Sequence, residues 1–299
     1  MRTPLTATRP ARLRVGVIGA GRVGAVLGAA LARAGHEIVA ISAVSRDSVR
    51  RAERLLPDVA IRPPHEVVEV ADFVLLAVPD DTLRGLVSGY ASTGAWRPGQ
   101  LVAHTSGAAG ISVLDPAAAR GVLPLALHPV MTFAGRPEDL SRLAGATFGV
   151  TAPDGLRPVA EALVVEIGAE PVWVPELARP LYHAALTIGS NHLVTVVNDA
   201  VDLLGRAGVD YPARLVAPLL SAALDNALRL GDAALTGPVS RGDVVTVRTH
   251  LATLAKEAPE TVAAYVAMAE RTAERAAASG RLRPDQAEEI RQTLEEERR

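Results

Sequence analysis

The residues with the clearest chemistry are three glycines in the run Gly19-Ala20-Gly21-Arg22-Val23-Gly24, which follows the apolar stretch Arg14–Ile18. An apolar helical pattern, Ala25–Ala34, comes next, ends at Gly35, and is followed by a second strand-like run from Glu37. In such a unit the glycines give a tight turn, a close approach of backbone to a pyrophosphate, and close packing of helix on strand. The start of the helix adds unpaired N–H groups and the positive end of its dipole. The complete strand–turn–helix–strand context, rather than the glycines alone, predicts a Rossmann βαβ unit that holds a dinucleotide over Gly19, Gly21, Arg22, Val23 and Gly24. An NAD site usually has a carboxylate about 20 residues further on, to accept the ribose hydroxyls. The stretch Ile38–Val44 has none, and Ser45-Arg46-Asp47-Ser48 follows it. A guanidinium flanked by hydroxyls suits a ribose 2′-phosphate, so Ser45 and Arg46 point to NADP(H). The alternative is a solvated turn in which Asp47 caps the next helix.

Polar residues gather at three further strand ends: Val78-Pro79-Asp80-Asp81, His104-Thr105-Ser106-Gly107 and His128-Pro129-Val130. Ligands of doubly wound sheets lie outside the carboxyl ends of the strands, so His104 and His128 are candidates to line a cleft. Pro79 and Pro129 could equally be strand stops, and Asp80 or Asp81 a helix cap. Further on, His183, Thr187, Ser190, Asn191, Asn198 and Asp202 recur at three- and four-residue intervals in an otherwise apolar helical run. The apolar residues of that run predict a helix with most of its surface buried. The short polar side chains read as a cleft wall, or as a buried hydrogen-bond seam between helices or subunits. In Leu235–Asp243, Asp243 is an N-cap for the helix that follows, with Thr246 and His250 on the face below it. Arg241 stands just before that helix, where its charge and the helix dipole would attract an anion. A well-made loop is the plain alternative.

These residues need a scaffold, and its periodicity is readable. Strand candidates at Leu13–Ile18, Glu37–Ala43, Phe73–Val78, Leu101–His104, Leu123–Leu127, Thr147–Thr151 and Val172–Val174 alternate with helical segments, as in a mostly parallel, doubly wound sheet. From residue 176 strand-like runs give way to helices, roughly Pro180–Ala207, Pro212–Leu230, Val244–Lys256, Pro259–Ser279 and Pro284–Glu297, with Gly208, Gly231 and Gly280 as C-terminal caps. The expected organisation is a disordered tail over 1–12, an NADP-binding Rossmann domain over 13–175, and an all-α domain for substrate and dimerisation over 176–299. The chain has 299 residues, 49% of them hydrophobic, which suffices for such cores. Its net charge of −2 gives no reason to expect nucleic acid or an anionic membrane as partner. It has no cysteine, which rules out disulfides, thiolate nucleophiles and Cys-ligated metal, and no metal site is expected. With neither a secretory signal nor a membrane span in view, a cytoplasmic location is expected.

The segments Gly19–Gly24, Leu76–Asp80, His104–Gly107, Leu127–Pro129, Tyr182–Ala185, Ser190-Asn191 and Thr236–Asp243 together resemble one bacterial family. That family joins a Rossmann-like domain to a helical C-terminal domain of unknown function, and the resemblance runs over nearly the whole chain after residue 12. Its N-terminal half is similar to deazaflavin-dependent NADP oxidoreductases. Its plan is similar to 6-phosphogluconate, β-hydroxyacid, prephenate and ketopantoate dehydrogenases or reductases. The resemblance implies NADPH-dependent reduction of a small 2-keto acid or related carbonyl, ketopantoate-like, by a homodimer paired through the helical domain. In that reading Val78 and Pro79 border the nicotinamide half of the cofactor. Ser106, Ser190 and Asn191 orient the anionic carbonyl substrate, and Arg241 holds its carboxylate. The chain departs from the family plan at the proton donor. Related enzymes use a lysine on the first C-terminal helix, whereas Lys256 is the only lysine here and lies elsewhere. His183 occupies the matching helix and offers an imidazole for that role, with His250, His128 and His104 as rivals. Oxidative decarboxylation in the manner of prephenate dehydrogenase, and a non-catalytic NADP-binding sensor or scaffold, are the alternatives.

Overall fold

The computed structural model describes residues 12–297, so the expected tail lies outside the described residues except for Arg12. The described chain forms two compact units that divide between Gly189 and Ser190.

The first unit is built on a seven-stranded sheet of order β2-β1-β3-β4-β5-β6-β7. The strands are β1 (Arg14–Ile18), β2 (Glu37–Ser42), β3 (Phe73–Leu76), β4 (Leu101–His104), β5 (Leu123–Pro129), β6 (Thr147–Thr151) and β7 (Glu170–Trp173). Every neighbouring pair is parallel except β5 with β6. The helices are α1 (Arg22–Arg33), α2 (Arg46–Leu55), α3 (Pro64–Val70), α4 (Asp80–Thr93), α5 (Asp115–Ala118), α6 (Glu138–Leu143), α7 (Arg157–Glu166) and α8 (Arg179–Thr187). The strands read as continuous apolar runs because both faces of the sheet are covered. Val15, Val17, Phe73, Leu75 and Ala103 pack with Leu27, Ala52 and Leu163 on one side. Ile18, Val74, Leu76 and Val102 pack with Val67, Leu83 and Leu114 on the other. Each large apolar side chain so buried contributes about 1.5–3 kcal/mol. Because β1 lies between β2 and β3, the strand order reverses there, opening a crevice at the carboxyl ends of β1 and β3.

The second unit is all helical: α9 (Leu193–Arg206), α10 (Pro212–Leu230), α11 (Pro238–Arg241), α12 (Val244–Glu257), α13 (Pro259–Ala278) and α14 (Pro284–Glu297). Its core joins Val247 and Leu251 of α12, Val266, Ala269 and Ala273 of α13, and Ile290 and Leu294 of α14. Gly208, Gly231 and Gly280 end helices with positive φ, as their positions predicted.

Three expectations need adjustment. The division falls after Gly189 rather than at 175/176, because the Arg179 side chain is bonded into the strand ends and keeps α8 with the sheet. The helix expected over 180–207 is broken by a π-helical turn at Ile188–His192, so the face assigned to its polar residues does not run through. Nor is that segment buried in the single chain. α9 has no buried residue, and α10 buries Val216 while Leu215, Leu219, Leu224 and Leu228 are exposed.

Candidate active site

The glycine loop fits a phosphate ligand for a reason visible at each glycine. Gly19 has φ +102°, and a β-carbon there would lie 2.5 Å from the Ala77 carbonyl oxygen. A β-carbon on Gly24 would run into the Gly19 carbonyl oxygen. The protein's own packing therefore requires both. Gly21 is different: its φ is an ordinary −67°, and the nearest atom to an added β-carbon is the Ala77 oxygen, 4.0 Å away. Its missing side chain leaves room above the start of α1, which has neither a side-chain cap nor an acidic residue in its first turn. Such a terminus suits an anion. Ser42 braces the loop, accepting from Gly19 N at 3.0 Å through its hydroxyl and from Ala20 N at 2.7 Å through its carbonyl. Arg51 on α2 donates to the Ala20 carbonyl at 2.9 Å. Sequence reasoning missed Arg51, which sits among other arginines with no motif to single it out.

At the end of β2, Ser45 is the N-cap of α2 and Asp47 is not. The Ser45 hydroxyl accepts from Ser48 N at 3.1 Å, and the Ser48 hydroxyl accepts from Ser45 N at 2.9 Å. This capping box fixes the first turn. Arg46, the first residue of α2, is exposed and has no ion-pair partner among the described residues.

The end of β4 places His104 in a structural role. Its Nδ1 accepts from Ser106 N at 3.2 Å, so Nε2 carries the proton and donates to the Gly110 carbonyl at 2.8 Å. Burial, reinforced by the Arg179 charge, holds this fully buried ring's pKa down to about 4. Both nitrogens are committed, so His104 shapes its loop and is not a proton donor to a ligand. That loop walls a cleft of about 540 Å³ lined by Asp80, Arg84, Ser106, Ser112 and Glu176 among others. Val78 is half-buried beside it in sequence, and Pro79 is the N-cap of α4. Glu176 accepts from Ile111 N at 2.8 Å and Ser112 N at 3.0 Å. Burial works against its carboxylate, yet these bonds keep its pKa below the ordinary value.

At the end of β5 a second group forms around His128. Across the antiparallel pair β5–β6, His128 faces Gly149. The space a side chain at Gly149 would take holds the Tyr182 hydroxyl, 2.8 Å from His128 Nδ1. One turn on from Tyr182's neighbour Arg179, the His183 ring meets the His128 ring edge to face, with centroids 6.1 Å apart. A β-carbon on Gly107 would lie 2.6 Å from His183 Cδ2 and 2.9 Å from His128 Nε2. His128, Tyr182 and His183 are thus packed on two bare glycines. Arg179 underlies them, donating to Thr151 Oγ1 at 2.9 Å and to the Ala126 and Gly149 carbonyls at 3.2 and 3.0 Å. It is fully buried, and its guanidinium lies 5.7 Å from the Tyr182 ring centre. Burial, then the charges of Arg179 and His183, lower the His128 pKa to about 4. Burial raises that of Tyr182. Arg179 went unread in the sequence, and Tyr182 entered only within the segment Tyr182–Ala185, with no role. Their signal was the spacing Arg179, Tyr182, His183, which puts all three on one helical face.

The remaining candidates belong to the second unit. Ser190 and Asn191 lie on the π-helical turn, Ser190 half-buried and Asn191 exposed. Asp243 is the N-cap of α12 as expected, accepting from Thr246 N at 3.1 Å. Bonds from Thr246, and to a smaller extent the Arg241 charge, hold its pKa low. Arg241 is exposed at the end of α11. His250 is bonded through Nδ1 to the Tyr265 hydroxyl at 2.9 Å and borders a largely apolar groove of about 410 Å³. Among the described residues no group of three His, Asp or Glu side chains is placed to hold a metal ion, and no helix is long and apolar enough to cross a membrane.

Two family models match the chain: a Rossmann-like domain over residues 1–129 and a domain of unknown function, DUF2520, over 146–272. A comparison with curated proteins finds no match. Among solved structures, a Bacteroides fragilis protein described as an NADP oxidoreductase is 20% identical, with TM-score 0.73 over 87% of this chain and 98% of its own. A Thermotoga maritima protein is 20% identical, with TM-score 0.69 over 88% and 99%. An imine reductase from a Pseudomonas species is 17% identical, with TM-score 0.59 over 90% and 91%. At these identities the likeness is one of fold.

Proposed function

We propose that this chain, a Rossmann-like domain joined to a DUF2520 helical domain, is an NADP(H)-dependent oxidoreductase that reduces a small anionic carbonyl compound of the 2-keto-acid type. The observation that carries the reading is Gly21, whose bare Cα serves no packing need of the protein and opens space at an uncapped helix N-terminus. Bound there, the cofactor would supply the hydride. The phosphates would rest on the backbone of Gly19–Gly24, with Arg22 and Val23 at the helix start. Arg46, held by the Ser45 cap, would meet the 2′-phosphate. Val78, Pro79 and Ser106 would border the nicotinamide half.

Reduction of a carbonyl needs a proton at oxygen as the hydride reaches carbon. His183 is the proposed donor, since none of its nitrogens has a hydrogen-bond partner among the described residues, and it stands beside His128 over Gly107. Ser190 and Asn191 are proposed to orient the substrate and Arg241 to hold its carboxylate, with His250 the rival acid. The name of the Pseudomonas relative adds imines as a second substrate class, for which the same proton would go to nitrogen. The exposed leucines of α10 support a homodimer paired through the helical unit.

NADPH oxidation against a panel of 2-keto acids, ketopantoate first, and imines tests the reading. Turnover on one of them, lowered about a hundredfold in His183→Ala with NADPH affinity unchanged, is the expected result. Loss of turnover in His250→Ala instead would move the acid to α12. NADPH binding with no turnover on any compound would favour the sensor.

A further inference from the structure

The geometry points to a role for Tyr182 as a positioning residue: its hydroxyl donates to His128 Nδ1 and fixes that ring as the Nε2–H tautomer, a neutral hydrogen-bond donor lying against Gly107 beside His183.

Three observations converge on this. First, the Tyr182 hydroxyl and His128 Nδ1 are 2.8 Å apart, and neither atom has another partner among the described residues. A phenol is a better donor than an imidazole N–H, and the reverse arrangement would leave the phenolic proton without an acceptor in a half-buried site. The bond to one ring nitrogen then decides which proton the other carries. Secondly, the pair is built into the fold. Gly149 stands opposite His128 in the sheet and leaves the place that the hydroxyl occupies, while Arg179 fixes the same helix by its bonds to the strand ends. Thirdly, His128 Nε2 has no protein acceptor among the described residues, and the residue it faces is a glycine. The ring also stays neutral at physiological pH, since burial holds its pKa to about 4.

A neutral, oriented N–H serves an acceptor atom: a carbonyl oxygen, an imine nitrogen or an anionic oxygen. It stabilises developing charge without itself giving up a proton. The two neighbouring histidines thereby divide the work, His183 as proton donor and His128 as fixed dipole. What the N–H would serve rests on the oxidoreductase reading; the tautomer does not, and it is measured without any substrate.

The experiment is long-range proton–nitrogen NMR on the full chain with ¹⁵N-labelled histidine, at about pH 7, for the unmodified protein and Tyr182→Phe. His128 is expected as a single Nε2–H tautomer, with a hydroxyl proton of Tyr182 protected and correlated to Nδ1. In Tyr182→Phe that resonance disappears and the Nδ1–H form rises severalfold. A His128 ring protonated at Nδ1 in the unmodified protein overturns the proposal, and needs no variant to fold. An unchanged tautomer in folded Tyr182→Phe overturns it as well. Absence of NADPH binding or turnover would count against the oxidoreductase reading and leave the tautomer result standing.

Discussion

His128 and Gly149 face each other across the one antiparallel pair of the sheet, and the side chain that Gly149 lacks is the place where the Tyr182 hydroxyl sits. A glycine on β6 thus sets the distance between a strand-end histidine and the helix that follows β7. Gly149→Ala must push the phenol away from His128. The expected cost is about 1–3 kcal/mol, the usual range for overpacking, read as a lower urea midpoint. Tyr182→Phe should recover part of it, because it removes the atom that clashes. A Gly149→Ala protein as stable as the original would contradict the packing described here.

Cofactor choice is proposed to rest on Arg46, which is exposed, has no ion-pair partner among the described residues and stands at the first position of α2. NADPH should bind more tightly than NADH, and Arg46→Ala should remove most of the difference. A charge-assisted contact of this type corresponds to roughly ten- to a hundredfold in affinity. Equal affinities of the unmodified protein for the two cofactors would end the assignment.

Acid should loosen the first unit through His104. Its folded-state pKa, about 4, lies below the ordinary imidazole value of 6.5, so the unfolded chain binds the proton more readily. The stability due to the neutral, bonded ring is complete above about pH 6.5. It is lost as pH falls towards 4, by roughly 3 kcal/mol at the limit. The urea midpoint should therefore drop across this window, and His104→Gln, whose amide cannot titrate, should lessen the drop, the rest coming from His128 with its own pKa of about 4. A slope as steep in the variant would show that other groups set it.

Much of this architecture was legible in the residues. The β4 and β6 boundaries followed from continuous apolar runs, and the glycine loop from its spacing between strand and helix. Asp243 was readable as a cap because its side chain acts locally, on Thr246 three residues away. What was not legible depends on distant parts of the chain. Arg179 looks like an ordinary surface arginine before a proline; only the folded sheet reveals that Ala126 and Gly149 supply its acceptors. The commitment of both His104 nitrogens to Ser106 and Gly110 could not be told from a free strand-end histidine. The burial expected around α9 failed because apolar periodicity records that a face will be covered, not by what.

Assembly through the helical unit is proposed on α10. Leu215, Leu219, Leu224 and Leu228 are exposed on α10, large apolar side chains that a pairing of copies would cover. Sedimentation at about micromolar concentration should report a dimer, and Leu219→Glu with Leu224→Glu should shift it to monomer. A monomeric unmodified protein would refute the pairing.

The account rests most heavily on a dinucleotide over the glycine loop, and Gly21→Ala tests that with little interference from folding. The added β-carbon would find its nearest atom 4.0 Å away, and the backbone there is already in a region open to alanine. Stability should therefore stay within about 0.5 kcal/mol of the original, as for a substitution that meets no neighbour. Calorimetric titration with NADPH should give clear binding to the unmodified protein and at least about tenfold weaker binding to Gly21→Ala, about 1.4 kcal/mol. Unchanged affinity in the variant, or no binding by the unmodified protein, would contradict the account.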